Sequence, residues 1–112
     1  MHVGDLDGSS AAAARARWEA TVTITIHDSN HNPVVGAAID GAWSNGITGG
    51  GSCATDASGQ CSFIKANIKS NVNSGTYTIS NVTLTGSTYD GSANHDPDLD
   101  SIDGTVITIQ KP

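Results

Sequence analysis

The late part of the chain has the highest density of side chains that bind metal ions. Four aspartates, Asp96, Asp98, Asp100 and Asp103, stand close together there, and Asn94 precedes them. Calcium takes about six to eight oxygen ligands, several of them carboxylates, from a flexible loop. The segment is not an EF-hand, because it lacks the central glycine and the terminal glutamate of that motif. The spacing instead predicts a calcium site of looser design.

Two aspartates near the start of the chain, Asp5 and Asp7, are further candidate ligands. They complete the site if the first and last strands lie side by side, as the ends of a domain often do. The alternative is that all these aspartates only cap turns and keep an edge loop solvated. Repulsion among so many carboxylates is the argument for a bound cation.

The four histidines, His2, His27, His31 and His95, are nitrogen donors that suit a transition metal. A zinc site needs three or four converging ligands, and nothing in the spacing of these residues brings them together. We therefore expect solvated turn histidines.

Cys53 and Cys61 flank a turn-rich stretch between two β-prone runs. A hairpin would bring the two thiols face to face, so we expect a disulfide, which is typical of an oxidising compartment. The alternative is a pair of reduced core thiols, as in a cytosolic protein.

No constellation of catalytic residues stands out. The chain has no Gly-x-Ser-x-Gly elbow, and its single glutamate, Glu19, faces outward on a predicted strand. Trp18 and Trp43 fall on inward faces, whereas Tyr89 lies in a loop and is the natural aromatic contact for a glycan. We expect a protein that is not an enzyme.

Charge and hydropathy exclude two classes of partner. Eleven acidic residues against five basic ones leave a formal net charge of −6, which would repel nucleic acid and anionic lipid. No apolar run approaches the ~18 residues that cross a bilayer, so we expect no membrane insertion. The start of the chain lacks the pattern of a signal peptide, so an exported parent would carry its signal upstream.

Period-two alternation predicts the strands that must position these residues. Residues 18–26 alternate most clearly, further β-prone runs begin at Ala37, Gln60, Thr76 and Thr105, and a bulge is expected near Asn81. Residues 9–17 are expected to form a connecting loop. The fold class predicted is all-β, an immunoglobulin-like sandwich of about seven strands in two antiparallel sheets, with residues 1–112 as a single domain.

Several phrases of the chain resemble a family of bacterial immunoglobulin-like domains that form C-terminal modules of large secreted proteins, including extracellular peptidases. The resemblance implies an extracytoplasmic β-sandwich attached to a catalytic or surface domain of a larger parent chain. The matching phrases are His2-Val3-Gly4-Asp5-Leu6-Asp7-Gly8, Trp18 with Thr21-Val22-Thr23, Asn32-Pro33-Val34 with Gly36-Ala37, Trp43-Ser44, Cys53 with Thr55-Asp56 and Gly59-Gln60-Cys61, and Tyr89 with Asn94-His95-Asp96-Pro97-Asp98.

The function expected from the sequence is that of a noncatalytic extracellular accessory module, which spaces, stabilises or tethers its parent and carries a candidate calcium loop. The alternative is a carbohydrate-binding or cell-surface-binding module that holds a glycan through Tyr89 and the acidic loop.

Overall fold

The computed structural model of the chain describes residues 1–97, 101 and 103–112. The described residues form seven strands and one short 3-10 turn, Gly91–Ala93. No helix among them is long and apolar enough to span a membrane. The strands are β1 (His2–Ala13), β2 (Arg17–His27), β3 (Ala38–Ser44), β4 (Gly50–Ala54), β5 (Gln60–Lys69), β6 (Ser74–Thr83) and β7 (Val106–Gln110).

The strands pair into two antiparallel sheets. One sheet has the order β1-β2-β5 and the other has the order β4-β3-β6-β7. The chain therefore crosses between the sheets after β2, after β4 and after β5. This arrangement confirms the predicted all-β sandwich and leaves β1 at an open edge of its sheet.

Alternating side chains fill the space between the sheets, as the sequence predicts. The inward residues of β2, from Trp18 to Ile26, are at most 1% exposed, and Ile39, Trp43 and Ile107 are also buried. Burial of this apolar area is the main favourable contribution to folding. The predicted bulge in β6 is present at Ser80, where the β3 register shifts between Asp40 and Gly41.

The prediction of a loop over residues 9–17 is wrong. Residues 9–13 continue β1 and pair with β2 as far as Ala13 and Arg17, so only residues 14–16 form the turn. Arg15 and Ala16 adopt left-handed backbone angles there, which none of the favoured turn residues signals. Three successive alanines have little β-propensity of their own, and pairing with β2 decides their conformation.

Cys53 and Cys61 form the predicted disulfide, with Cα atoms 5.8 Å apart. The expectation of a cysteine hairpin is wrong, because β4 and β5 belong to different sheets. Residues 55–59 carry the chain across the sandwich, held by the Thr55 hydroxyl, which donates to the Val34 carbonyl and accepts from the Ala37 amide. The disulfide therefore links the two sheets.

Candidate functional site

The open edge of β1 is covered by the segment of residues 88–96, which we call the edge segment. The Asp90 amide donates to the Met1 carbonyl at 2.8 Å, and the His95 amide donates to the Val3 carbonyl at 3.1 Å. The Asn94 side-chain oxygen accepts from the Val3 amide at 2.8 Å. These hydrogen bonds satisfy backbone groups that an edge strand leaves unpaired. They also bring the end of the edge segment, with Asp96, against the start of β1.

Asp5, Asp7 and Asp96 form a carboxylate cluster along this edge. One oxygen from each lies within 4.8 Å of the others, and Asp96 is only 5% exposed. Asp5 and Asp7 share one face of β1 because they alternate with the buried Leu6. The Asp96 carboxylate accepts from the backbone amides of Leu6 and Ser101.

The spacing of the carboxylate cluster suits one calcium ion. Calcium–oxygen distances of about 2.3–2.6 Å allow oxygens on opposite sides of the ion to lie roughly 5 Å apart. The 4.8 Å limit within the cluster falls inside that range. Oδ1 of Asp5 is shielded from solvent and has no hydrogen-bond partner among the described residues.

The other predicted metal ligands have different positions. The Asp103 carboxylate accepts from the amides of Thr105 and Val106 at 2.9 and 3.1 Å, which is the turn-capping role of the alternative interpretation. The Asn94 side chain donates hydrogen bonds to the hydroxyls of Tyr89 and Thr105 and accepts one from the Val3 amide. Asp98 and Asp100 lie outside the described residues. As calcium ligands, these four stay predictions.

Tyr89, the predicted glycan contact, is half-buried against the core. Its hydroxyl accepts from the Asn94 side-chain amide at 2.6 Å. Tyr89 therefore braces the edge segment, and its ring does not stand free on an exposed face as a sugar-stacking platform requires.

All four histidines meet at the same end of the sandwich, beside the carboxylate cluster. We call His2, His27, His31 and His95 the histidine cluster. Its ring centroids lie 5.1 Å apart for His2 and His31, 5.3 Å for His2 and His95, and 5.6 Å for His31 and His95. His2 is 5% exposed, whereas His31 is open to solvent. The expectation of solvated turn histidines is therefore wrong for the buried His2 and is confirmed for His31, which is exposed in the turn after β2.

The register of the first hairpin explains part of this convergence. His2 and His27 are direct cross-strand partners. A register shift between Val3 and Asp5 makes Gly4 the extra residue of a β-bulge, and a Cβ atom at Gly4 would overlap the His27 ring. Glycine at this position therefore makes room for the imidazole.

Local turn chemistry and the edge segment place the other two rings. The Asp28 carboxylate accepts from the amides of Asn30 and Asn32, and His31 adopts a left-handed φ of 61°. His95 is brought in by its backbone bond to Val3. A prediction of the β1–β2 register would have revealed the His2–His27 pair, but no sequence signal marks the fold-back at His31.

The surroundings of His2 and His27 favour the neutral imidazole of each. Burial lowers the pKa of His2, and the neighbouring His95, His31 and His27 lower it further. Burial, His31 and His95 likewise lower the pKa of His27, while Asp28 opposes the shift. Both rings are therefore neutral at pH 7 and keep a nitrogen lone pair that a metal ion could use.

Comparison of the chain with family models, curated proteins and solved structures finds no match.

Proposed function

We propose that the chain is a noncatalytic extracellular accessory module whose first strand and edge segment are fastened together by calcium. The observation that carries this proposal is the carboxylate cluster, in which Asp5 and Asp7 of β1 face Asp96 of the edge segment within 4.8 Å. Binding between these elements would lock the loop onto the open edge of β1.

The chemistry of the cluster favours calcium over other cations. Its ligand atoms are carboxylate oxygens, which hard cations prefer, and calcium accepts the irregular geometry that a loop and a strand provide. Close carboxylates repel one another when all are ionised, and a divalent cation offsets that repulsion. Backbone carbonyls and water can supply further ligands, because calcium needs about six to eight.

Two observations support the extracellular and accessory parts of the proposal. The Cys53–Cys61 disulfide is typical of oxidising compartments. The resemblance to modules of secreted bacterial proteins suggests a catalytic or surface domain of the same parent chain as the partner. In that role, calcium would stiffen the spacer or tether at β1, and the disulfide would stiffen it at β5, on the other edge of the same sheet.

Calorimetric titration with calcium chloride tests the proposal. We expect saturable binding of one ion in the range of about 10⁻⁴–10⁻³ M, which is usual for extracellular modules. Asp5→Asn and Asp7→Asn should each abolish the heat or weaken binding by more than about tenfold, because each removes a charged ligand. The matched control is Asp40→Asn, at an exposed position on β3 in the other sheet.

Two results would overturn the proposal. One is the absence of saturable calcium binding by the wild-type chain up to about 10 mM, well above that range. The other is binding that Asp5→Asn and Asp7→Asn leave equal to that of Asp40→Asn.

A further inference from the structure

The spacing of the histidine cluster approaches that of a tetrahedral metal site. Four nitrogens at about 2.0–2.1 Å from zinc lie roughly 3.4 Å apart and hold their ring centroids about 5 Å apart. The observed centroid distances run from 5.1 Å for His2 and His31 to 6.2 Å for His2 and His27. One ring nitrogen from each of His2, His27 and His31 lies within 4.8 Å of the others, and His95 is not part of this group, although its ring is 5.3 Å from that of His2 and 5.6 Å from that of His31. A contraction of up to about 1.4 Å between the ring nitrogens of His2, His27 and His31 would bring them to tetrahedral spacing.

The nitrogens of the cluster are available as ligands. Nε2 of His2 and Nδ1 of His27 are shielded from solvent and have no hydrogen-bond partner among the described residues. Nδ1 of His95 is 3.2 Å from the Ala93 carbonyl, and this contact is a hydrogen bond in the tautomer that carries its proton on Nδ1. The other nitrogen of His95 then has a free lone pair. This hydrogen bond to a carbonyl is the usual support of a metal-binding histidine.

Simple packing accounts poorly for this arrangement. The aromatic cluster of Trp43, Phe63 and Tyr77 has one buried ring nitrogen without a hydrogen-bond partner among the described residues, Nε1 of Trp43, while its tyrosine hydroxyl donates to the Gly51 carbonyl. The histidine cluster has two such nitrogens, Nε2 of His2 and Nδ1 of His27, in rings that contact further histidines, and burying them without a partner costs stability. A bound cation would satisfy them together.

We propose that His2, His27, His31 and His95 bind one divalent transition-metal ion, with zinc as the ion of reference. Imidazole nitrogens suit zinc, copper and nickel, and they do not suit calcium or magnesium. Four protein ligands make a closed site, which is the form of a structural metal centre. A cavity of about 250 Å³ beside His2 and His31 provides the entry path. The site shares β1 with the carboxylate cluster but differs from it in every ligand.

Calorimetry with zinc chloride on tag-free, chelator-stripped protein tests this site. We expect one zinc ion per chain, and cobalt bound in its place should show the visible absorption of a tetrahedral centre. His31→Asn should weaken zinc binding by more than about tenfold, because asparagine keeps the left-handed backbone but lacks the imidazole. Ser29→Ala, at a neighbouring exposed position of the same turn, should bind zinc like the wild type.

The two metal proposals can fail separately. Asp5→Asn should lose calcium and keep zinc, whereas His31→Asn should lose zinc and keep calcium. His95→Gln provides a second variant of the histidine cluster, and a melt in chelator verifies that each variant folds.

The zinc proposal is overturned if the wild type shows no saturable zinc binding. It is also overturned if His31→Asn and His95→Gln both bind as tightly as the wild type, or if zinc binding follows Asp5 instead. Loss of the calcium result alone leaves the zinc proposal intact.

Discussion

The environment of His2 is set by residues that are distant in the sequence. Its ring lies among His27, His31 and His95, which come from the end of a strand, a turn and the edge segment. Desolvation and like-charge repulsion therefore act together against its protonation. An isolated histidine in a turn would experience neither effect.

This environment predicts that acidification destabilises the metal-free protein. Because the pKa values of His2 and His27 are lowered from 6.5 in the folded state, the unfolded chain binds more protons once the pH falls below that value. Stability is thus fully present above about pH 7 and is lost as the pH falls toward the lowered pKa values. The positive charges that act with burial on the two rings are those of His31, His95 and the N-terminal ammonium, whereas Asp28 beside His27 and Asp90 beside His2 carry the opposing negative charges.

Calorimetric melting between pH 7.5 and 5 in the presence of a chelator measures this loss. Asp28, Asp56 and Asp90 do not titrate within this window, because their pKa values are lowered from 3.8. The melting temperature should fall across the window, and less steeply in His27→Gln. A constant or rising melting temperature in the wild type would contradict the account of the histidine cluster.

At the scale of elements, the strand that the sequence predicts best is β2. Its inward side chains alternate without interruption from Trp18 to Ile26, so period and burial agree. Residues 9–13 of β1 escaped prediction because their alanines carry no strand signal and their turn lacks glycine, asparagine and aspartate. That omission also concealed the His2–His27 pair.

The sequence predicted the carboxylate site only on one condition about the fold. The sequence placed Asp5 and Asp7 with Asp96 on the condition that the first and last strands lie side by side. The two strands belong to different sheets, and it is the edge segment that brings Asp96 to β1. The hydrogen bonds that do so use Asn94, which the sequence suggested as a metal ligand. The amide has both donor and acceptor capacity, so it serves equally well as a link between loops.

Asn94→Ala should therefore loosen the edge segment. The substitution removes hydrogen bonds to Val3, Tyr89 and Thr105 and leaves the Val3 amide without its side-chain acceptor. We expect a loss of about 1–3 kcal/mol in the free energy of unfolding, measured by chemical denaturation, and faster hydrogen exchange at Val3. Asn81→Ala, at an exposed position on β6, should cost less than about 0.5 kcal/mol. Equal losses in the two variants would contradict the bracing role of Asn94.

At the scale of the whole molecule, a disulfide cross-links the thin sandwich, and the proposed calcium would add a second cross-link. The Cys53–Cys61 disulfide joins the two sheets through β4 and β5. Closing so short a loop contributes roughly 2–3 kcal/mol on the chain-entropy model. The proposed calcium would fasten β1 to the edge segment in a comparable way, but its contribution would depend on the concentration of the ion.

The central claim is that Asp5, Asp7 and Asp96 are arranged for a cation, and thermal melting of Asp5→Asn with and without calcium tests it most directly. In chelator the variant should melt at or above the wild-type temperature, because one repelling charge is gone and Oδ1 of Asp5 has no hydrogen-bond partner among the described residues to lose. In saturating calcium it should melt below the wild type, which at about 100-fold excess over Kd gains about 2.7 kcal/mol. Such a reversal in the order of the melting temperatures supports the claim. If calcium raised the melting temperature of the variant as much as that of the wild type, the claim would be contradicted.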